Sequence, residues 1–262
     1  RDTQSSTEGV LMTSTSDSSP TALVTGAGRG IGRAIALDLI AAGYRVLLTA
    51  RSADQLQETA EISAHPDATH ILTGDVITDG ERIVEEALRI FGKLDVLILN
   101  AGEGISAKLE KTSDELWQQQ IALNLTAPFV MMRAALPHMK SVGFGRVVVV
   151  ASVASKHGAP YIAAYCAAKH GVLGLVRAAA AEYQNTGVTI NAICPGYVDT
   201  PMIDKNVEKI VQQTGRSAEE VRANMAAGQG RLLTSQEVSD AVMDLINSEL
   251  TGASPVLPEG MV

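Results

Sequence analysis

The sequence predicts an α/β fold, a doubly wound parallel sheet covered by helices on both faces. Three observations predict it. Short apolar runs alternate with helical patterns along most of the chain. The runs are continuously apolar, as in VVVVA at 147–151, which suits parallel strands buried on both faces. A glycine-rich turn, TGAGRGIG at 25–32, joins the first run to the first helix, where doubly wound sheets place their ligand turn.

The elements follow in order. Thr21–Thr25 is a short β-prone run ended by glycines, and a helical pattern covers 29–42. Strands are expected at 45–49, 69–73, 94–99, 145–151 and 188–194, and helices at 54–64, 79–91, 113–140 and 161–184. After Cys194 the rhythm breaks. Residues 195–235 carry two helical stretches, DKNVEKIVQQ and SAEEVRANMA, but no strand pattern. A tract this long between core elements is a lid or a packed insertion, and its place after a strand's carboxyl end sets it by a ligand crevice. A helix at 235–249 and a strand near 253–257 finish the sheet. There is no internal linker, so residues 20–262 read as one catalytic-size domain. Residues 1–19, crowded with Ser, Thr, Asp and Gly, read as a flexible extension. Met12 is a candidate natural start, with Arg1 to Leu11 preceding it.

Composition narrows the function. The net charge is -8 and the 21 basic residues form no long run, which argues against wrapping a nucleic-acid backbone. No apolar stretch reaches membrane-spanning length, and positions 2–19 lack the apolar middle of a signal peptide. The two cysteines, Cys166 and Cys194, suggest no disulfide scaffold; a reducing compartment, the cytoplasm, is the expectation. No His, Cys and Asp cluster has metal-ligand spacing, so no metal is expected.

In the glycine turn, Gly26 can take a tight turn, Gly30 lets backbone approach a phosphate, and Gly32 lets helix and strand pack closely. Free N–H groups at the helix start then face a pyrophosphate. The bland reading is a structural turn. Placed at the first strand of a βαβ pattern, it favours a Rossmann-like nucleotide site, and the absence of GxxxxGK[ST] argues against a phosphoryl-transfer loop. Dinucleotide sites that bind NAD place Asp or Glu after the second strand to hold the ribose diol. Here Ala50 and Arg51 stand there. Arginine grips a 2′-phosphate in a fork, and Arg29 can approach the same phosphate from within the turn. Two solvated arginines, or Asp54 as a late diol ligand, are the competing readings; Asp54 reads instead as a cap of the next helix. NADP(H) is therefore expected over NAD.

Three segments carry candidates for chemistry: Ser152 at a strand's end, Tyr165 and Lys169 in YCAAK, and Asn124 within the 113–140 helix. Tyr165 and Lys169 are four apart and share a helical face. A lysine ammonium one turn away favours the phenolate and is expected to lower the tyrosine pKa from its usual value. A serine hydroxyl can hold the substrate oxygen, making a proton donor and oxyanion clamp. Tyr-x-x-x-Lys is also common on helices, and strand-end serines often only cap.

The ordered set identifies a resemblance over about Pro20 to Gly260. TGAGRGIG, Asp75, NAG at 100–102, Asn124, Ser152, YCAAK at 165–169 and PGYVDT at 195–200 resemble the short-chain dehydrogenase/reductase family, in its roughly 250-residue form. The resemblance implies Tyr165 as general acid in reduction, Lys169 on the nicotinamide ribose, Ser152 on the carbonyl, and Asn124 holding a water that links Lys169 to solvent. It also implies a cofactor cradle of Gly26, Gly28, Arg29, Gly30, Ile31, Gly32 and Arg51. Asp75 and Val76 would lie near the adenine, and Asn100, Ala101 and Gly102 along the adenine ribose. Pro195, Gly196, Val198 and Thr200 would lie along the carboxamide and pyrophosphate. The family delivers the pro-S hydride.

Pocket candidates are Glu103, Val153, Ala154, His157, Tyr161, Tyr197, Met202 and Ile203. Most are apolar, which suits an uncharged carbonyl bearing hydrocarbon; His157 reads as a surface histidine or a substrate contact. The pieces NLTAPF, AAKHGVLGL and NAICPGYVDTPM are similar to reductases of β-ketoacyl thioesters and polyketides. The expectation is an NADPH-dependent ketone reductase with a small-molecule carbonyl or alcohol substrate and no nucleic-acid or membrane partner. Two alternatives stand beside it: an NAD-dependent secondary alcohol or 3-hydroxyacid dehydrogenase working oxidatively, and a non-enzymatic nucleotide-binding scaffold. The resemblance implies a homodimer through the 113–140 and 161–184 helices, or a homotetramer through the C-terminal strand. Pro258-Glu259 stands where the family has Asp-Gly, which makes the second interface the less secure expectation.

Overall fold

The structure, a computed structural model, describes residues 19–260. The extension expected at 1–19 and the start at Met12 therefore fall almost wholly outside the described residues.

Seven parallel strands form the sheet: β1 (Thr21–Thr25), β2 (Arg45–Ala50), β3 (Thr69–Thr73), β4 (Val96–Leu99), β5 (Gly145–Val150), β6 (Val188–Pro195) and β7 (Val256–Leu257). Their order is β3-β2-β1-β4-β5-β6-β7. The order reverses between β1 and β4, and that reversal opens a crevice at the strands' carboxyl ends. Register is in step across the centre, with Leu23 beside Leu47 on one side and Leu97 on the other.

The described residues also form nine α-helices: α1 (Gly30–Ala41), α2 (Ala53–Glu61), α3 (Val76–Phe91), α4 (Asp114–Ile121), α5 (Ala127–Val142), α6 (Ala163–Glu182), α7 (Pro201–Thr214), α8 (Ala218–Ala226) and α9 (Ser235–Ile246). Strand side chains alternate between faces, and two cores result. Leu23, Leu47, Leu97, Val147 and Val149 point into the core under α3, α5 and α6. Ala22, Val46, Leu48, Ile98, Val148 and Val150 point into the core under α1, α2 and α9. This two-sided burial is why the strands read as unbroken apolar runs.

Some boundaries differ from expectation. The 113–140 helix is two helices joined by a π-helical segment, Ala122–Thr126; that wide turn carries Asn124, and such bulges often mark function. The third helix starts at Val76 rather than 79, because Asp75 caps it by accepting the Ile77 N–H at 2.9 Å. The cap of α2 is Ser52, accepting from Gln55 N, while Asp54 lies in the first turn. The last helix ends at Ile246. Only Val256–Leu257 is strand, but Ala253 O, Pro255 O and Leu257 O all accept from β6 or from Gly196 just after it.

The tract after β6 is helical, as its periodicity predicted. Ile203, Val207 and Val221 form a small core of their own between α7 and α8. The tract returns to the body through a parallel bridge between Val198 and Leu233.

Candidate active site

The glycine turn sits at the reversal of strand order. Gly30 opens α1 at φ +54°, a conformation that favours glycine. A Cβ on Gly32 would lie 2.3 Å from Gly26 O and 2.4 Å from Asn100 Nδ2. Helix α1 thus packs against the turn at a distance only glycine permits. Arg29 precedes the helix in extended conformation, with no side-chain cap bond, so the first N–H groups of α1 remain open toward an anion.

Neighbouring side chains hold this turn in place. Asn100, at the end of β4, donates from Nδ2 to Thr25 O at 2.9 Å. Thr25 Oγ1 accepts the N–H groups of Asn100 and Ala101 at 2.9 and 3.0 Å. The Nδ2 of Asn100 is therefore engaged with the protein's own backbone. Arg33, which the sequence reading passed over, donates from Nε to Gly28 O at 3.0 Å and pairs with Glu58. Its only sequence signal is an arginine one helical turn after Arg29.

Arg51 follows the last residue of β2 and is exposed, while Arg29 is half-exposed. No acid stands at either place. Thr200, at the head of α7, reaches across the same crevice: a Cβ on Gly30 would meet its Cγ2 at 3.3 Å. Val198 is buried, and its carbonyl accepts from Thr200 Oγ1. PGYVDT is thereby laid over the glycine turn. Asp75 and Val76 lie at the end of the neighbouring strand β3, with Val76 buried. The open N–H groups, the Cβ-intolerant glycines and the uncompensated Arg51 fit a 2′-phosphorylated dinucleotide.

Ser152 follows β5 and accepts the Ala154 N–H at 3.1 Å. Its hydroxyl also acts on the Tyr165 phenol in the sense that favours the phenolate. Tyr165 and Lys169 lie on α6, as their spacing predicted. Lys169 Nζ donates to Val150 O at 2.9 Å and stands 5.6 Å from the Tyr165 ring centroid. The expected lowering of the tyrosine pKa is reversed in the chain itself. Burial pushes the phenol up to about 12, and Cys166 and Tyr197 push the same way. Lys169 exerts no counterweight, because an amine that loses its proton near 8 is neutral where the phenol ionises. Burial also depresses the Lys169 pKa to about 8, with Cys194 opposing weakly.

Asn124 is buried on the π turn, and its Nδ2 donates to Glu103 O at 3.0 Å. The Glu103 backbone is thus part of the site. Around the mouth, Val153 and Met202 are half-buried, Ala154 is buried, and Tyr197 is 39% exposed. Gln229 clamps Tyr197, accepting its N–H at 2.8 Å and donating to its carbonyl at 2.7 Å. His157 is exposed. Tyr161 is 61% exposed, at φ +68°, and its carbonyl accepts from Ala107 N. Ile203 is packed with Val207 and Val221 in the small core between α7 and α8. Cys166 and Cys194 are buried free thiols.

The chain matches known proteins over most of its length. The family model for short chain dehydrogenases matches residues 20–211. A D-beta-hydroxybutyrate dehydrogenase of Rhizobium meliloti is 36% identical over 206 residues, 77% of this chain and 80% of that protein. A putative ketoacyl reductase 1 of the granaticin polyketide synthase of Streptomyces violaceoruber is 36% identical over 234 residues, covering 87% and 86%. Among solved structures, a single-residue variant of actinorhodin polyketide ketoreductase with NADPH superposes with a TM-score of 0.87 at 34% identity, covering 93% of this chain and 97% of that one. Nearly the whole described domain is shared with such proteins, and the chain belongs to the short-chain dehydrogenase/reductase family.

Proposed function

We propose that this protein is an NADPH-dependent carbonyl reductase that turns a ketone of the β-ketoacyl or polyketide type into a secondary alcohol. The observation that carries the reading is the Ser152–Tyr165 pair at the crevice, with the phenol held protonated. A general acid must carry its proton at working pH, and a phenol at about 12 does so throughout the neutral range.

Arg51 and Arg29 would hold the 2′-phosphate, the α1 N-terminus the pyrophosphate, and Lys169 the nicotinamide ribose. When bound, the cofactor supplies a hydride to the carbonyl carbon. Ser152 and Tyr165 receive the carbonyl oxygen with two hydrogen bonds. As electrons move onto that oxygen, Tyr165 gives it the phenolic proton. Lys169, at about 8, exchanges protons near neutrality and restores the phenol, with Asn124 beside it. Tyr197 and Met202, held over the site by Gln229 and α7, give the pocket its apolar wall.

The β-hydroxybutyrate dehydrogenase relative favours a second reading, oxidation of a hydroxyacid with NAD. Ala50-Arg51 speaks against it, since neither residue offers the carboxylate that accepts from a ribose diol. Trp117 and Phe129 are 40% and 42% exposed on α4 and α5, which supports pairing of two copies through that layer. Unpaired buried cysteines support a reducing compartment such as the cytoplasm. No helix among the described residues is long and apolar enough to cross a membrane.

The test is NADPH consumption with ethyl acetoacetate and bulkier β-dicarbonyl compounds. Tyr165→Phe, which keeps the ring and removes the proton, should lower kcat at least a hundredfold. A mutant that keeps its rate would sink the assignment. Tight NADPH binding with no turnover of any carbonyl would favour a nucleotide-binding scaffold.

A further inference from the structure

Gln120 is fully buried on the last turn of α4, one helical turn before Asn124. A long polar side chain is rarely fully buried without hydrogen-bond partners. Its Nε2 has none, and neither has Asn124 Oδ1. An aliphatic residue of the same length would fill this space without enclosing an unpartnered N–H group.

What the glutamine adds is an oxygen. Gln120 Oε1 lies 3.5 Å from Asn124 Nδ2. The same nitrogen donates to Glu103 O at 3.0 Å and Gln120 O at 3.1 Å. Three oxygens thus surround it, one more than its two hydrogens can serve. A flipped Asn124 would turn its own oxygen against all three. The surviving orientation points Oδ1 toward Gly102 and Lys169. A Cβ on Gly102 would lie 2.9 Å from Asn124 Oδ1 and 3.5 Å from Lys169 Nζ, so amide oxygen and ammonium converge on one point.

We propose that Gln120 is a positioning residue for the reaction: its side-chain oxygen locks the Asn124 amide so that Oδ1 faces Lys169 and the proton path that resupplies Tyr165. The inference rests on the reading of Asn124, Tyr165 and Lys169 given above. The titratable groups bearing on that path are Tyr165 and Cys166 on α6, Cys194 on β6 and Tyr197 just before α7.

The experiment is steady-state kinetics with NADPH and ethyl acetoacetate across pH. Gln120→Met keeps length and loses hydrogen bonding. It should lower kcat about tenfold, leave the KM for NADPH within about twofold, and displace the alkaline limb of the kcat profile. Gln120→Glu restores an oxygen toward Nδ2 and should recover kcat to within about threefold of the parent. In an Asn124→Ala background, Gln120→Met should cost nothing further in kcat. A Gln120→Met protein with lower melting temperature but parental kcat and pH profile would show a packing role and overturn the proposal. Should Gln120→Met not fold, Gln120→Asn, which withdraws the oxygen but stays polar, must show the same kcat loss; parental kcat there overturns it equally. Tyr165→Phe separates the two levels. If that variant is dead and the Gln120 variants are parental, only this inference fails. If it is fully active, both fail.

Discussion

Lys169 Nζ gives a hydrogen bond to Val150 O at 2.9 Å while standing 5.6 Å from the centre of the Tyr165 ring. The ammonium is therefore anchored to the sheet first and meets its tyrosine from the ring side. Burial acts on the two groups in opposite senses, raising the phenol to about 12 and lowering the lysine to about 8. Both shifts favour neutral side chains, as desolvation must.

The lysine shift predicts a pH dependence of stability. Its pKa falls from 10.5 to about 8 on folding, so the unfolded chain binds more protons between those values. The penalty of the buried ammonium is fully present below pH 8 and is relieved as pH rises toward 10.5, by no more than about 3 kcal/mol. Tyr165 acts oppositely from pH 10 to 12, where the unfolded phenol ionises first. Urea unfolding from pH 7 to 10 should show the parent gaining stability relative to Lys169→Met. Parallel curves would mean that the lysine keeps its usual pKa.

At the cofactor end, Arg51→Asp should weaken NADPH by on the order of a hundredfold, the size of a lost charge-assisted fork. NADH should be unaffected or improved, since an aspartate there can hold the diol. Fluorescence titration of both nucleotides decides it. Equal losses would assign Arg51 to the surface.

Gly32→Ala tests the packing of the turn. Alanine is the better helix former by about 1 kcal/mol, so propensity alone predicts stabilisation. The backbone contact at 2.3 Å predicts the reverse, a loss of about 2 kcal/mol and a fall in NADPH affinity. Denaturation and nucleotide titration of one variant read both effects. Unchanged values would mean that α1 can slide along its turn.

Arg146 offers a contrast between a buried and an exposed charge. Its guanidinium, 8% exposed, donates to Ile246 O, Gly145 O and Gly187 O and pairs with Glu249. Arg146→Leu strands three carbonyls and should cost about 3 kcal/mol. Glu249→Ala removes only the 86% exposed partner and should cost less than about 1 kcal/mol. Similar losses for both would make the ion pair, rather than the carbonyl bonds, the source of stability.

The sequence by itself determined the alternation of strand and helix, the two-sided burial of the sheet, the glycine turn, and the helical face shared by Tyr165 and Lys169. Each depends on local periodicity or on a residue's own conformational range, and both are written in the order of the amino acids. The absent acid at Ala50-Arg51 was legible for the same reason. Tertiary structure decided the rest. Whether Lys169 meets the phenol or the ring, and which way burial moves both pKa values, depends on how α6 lies against β5. That Asn100 Nδ2 braces the turn depends on β1 and β4 being neighbours across 75 positions of sequence. Ile203 was an apolar residue near the site until α8 folded over α7 and took it into another core. Gln120 is one of three consecutive glutamines, and nothing in their order sets it apart; the π turn and α6 enclose it. Distance, burial and the direction of a side chain are properties of the packed molecule, and they set the chemistry of residues whose presence the sequence had already declared.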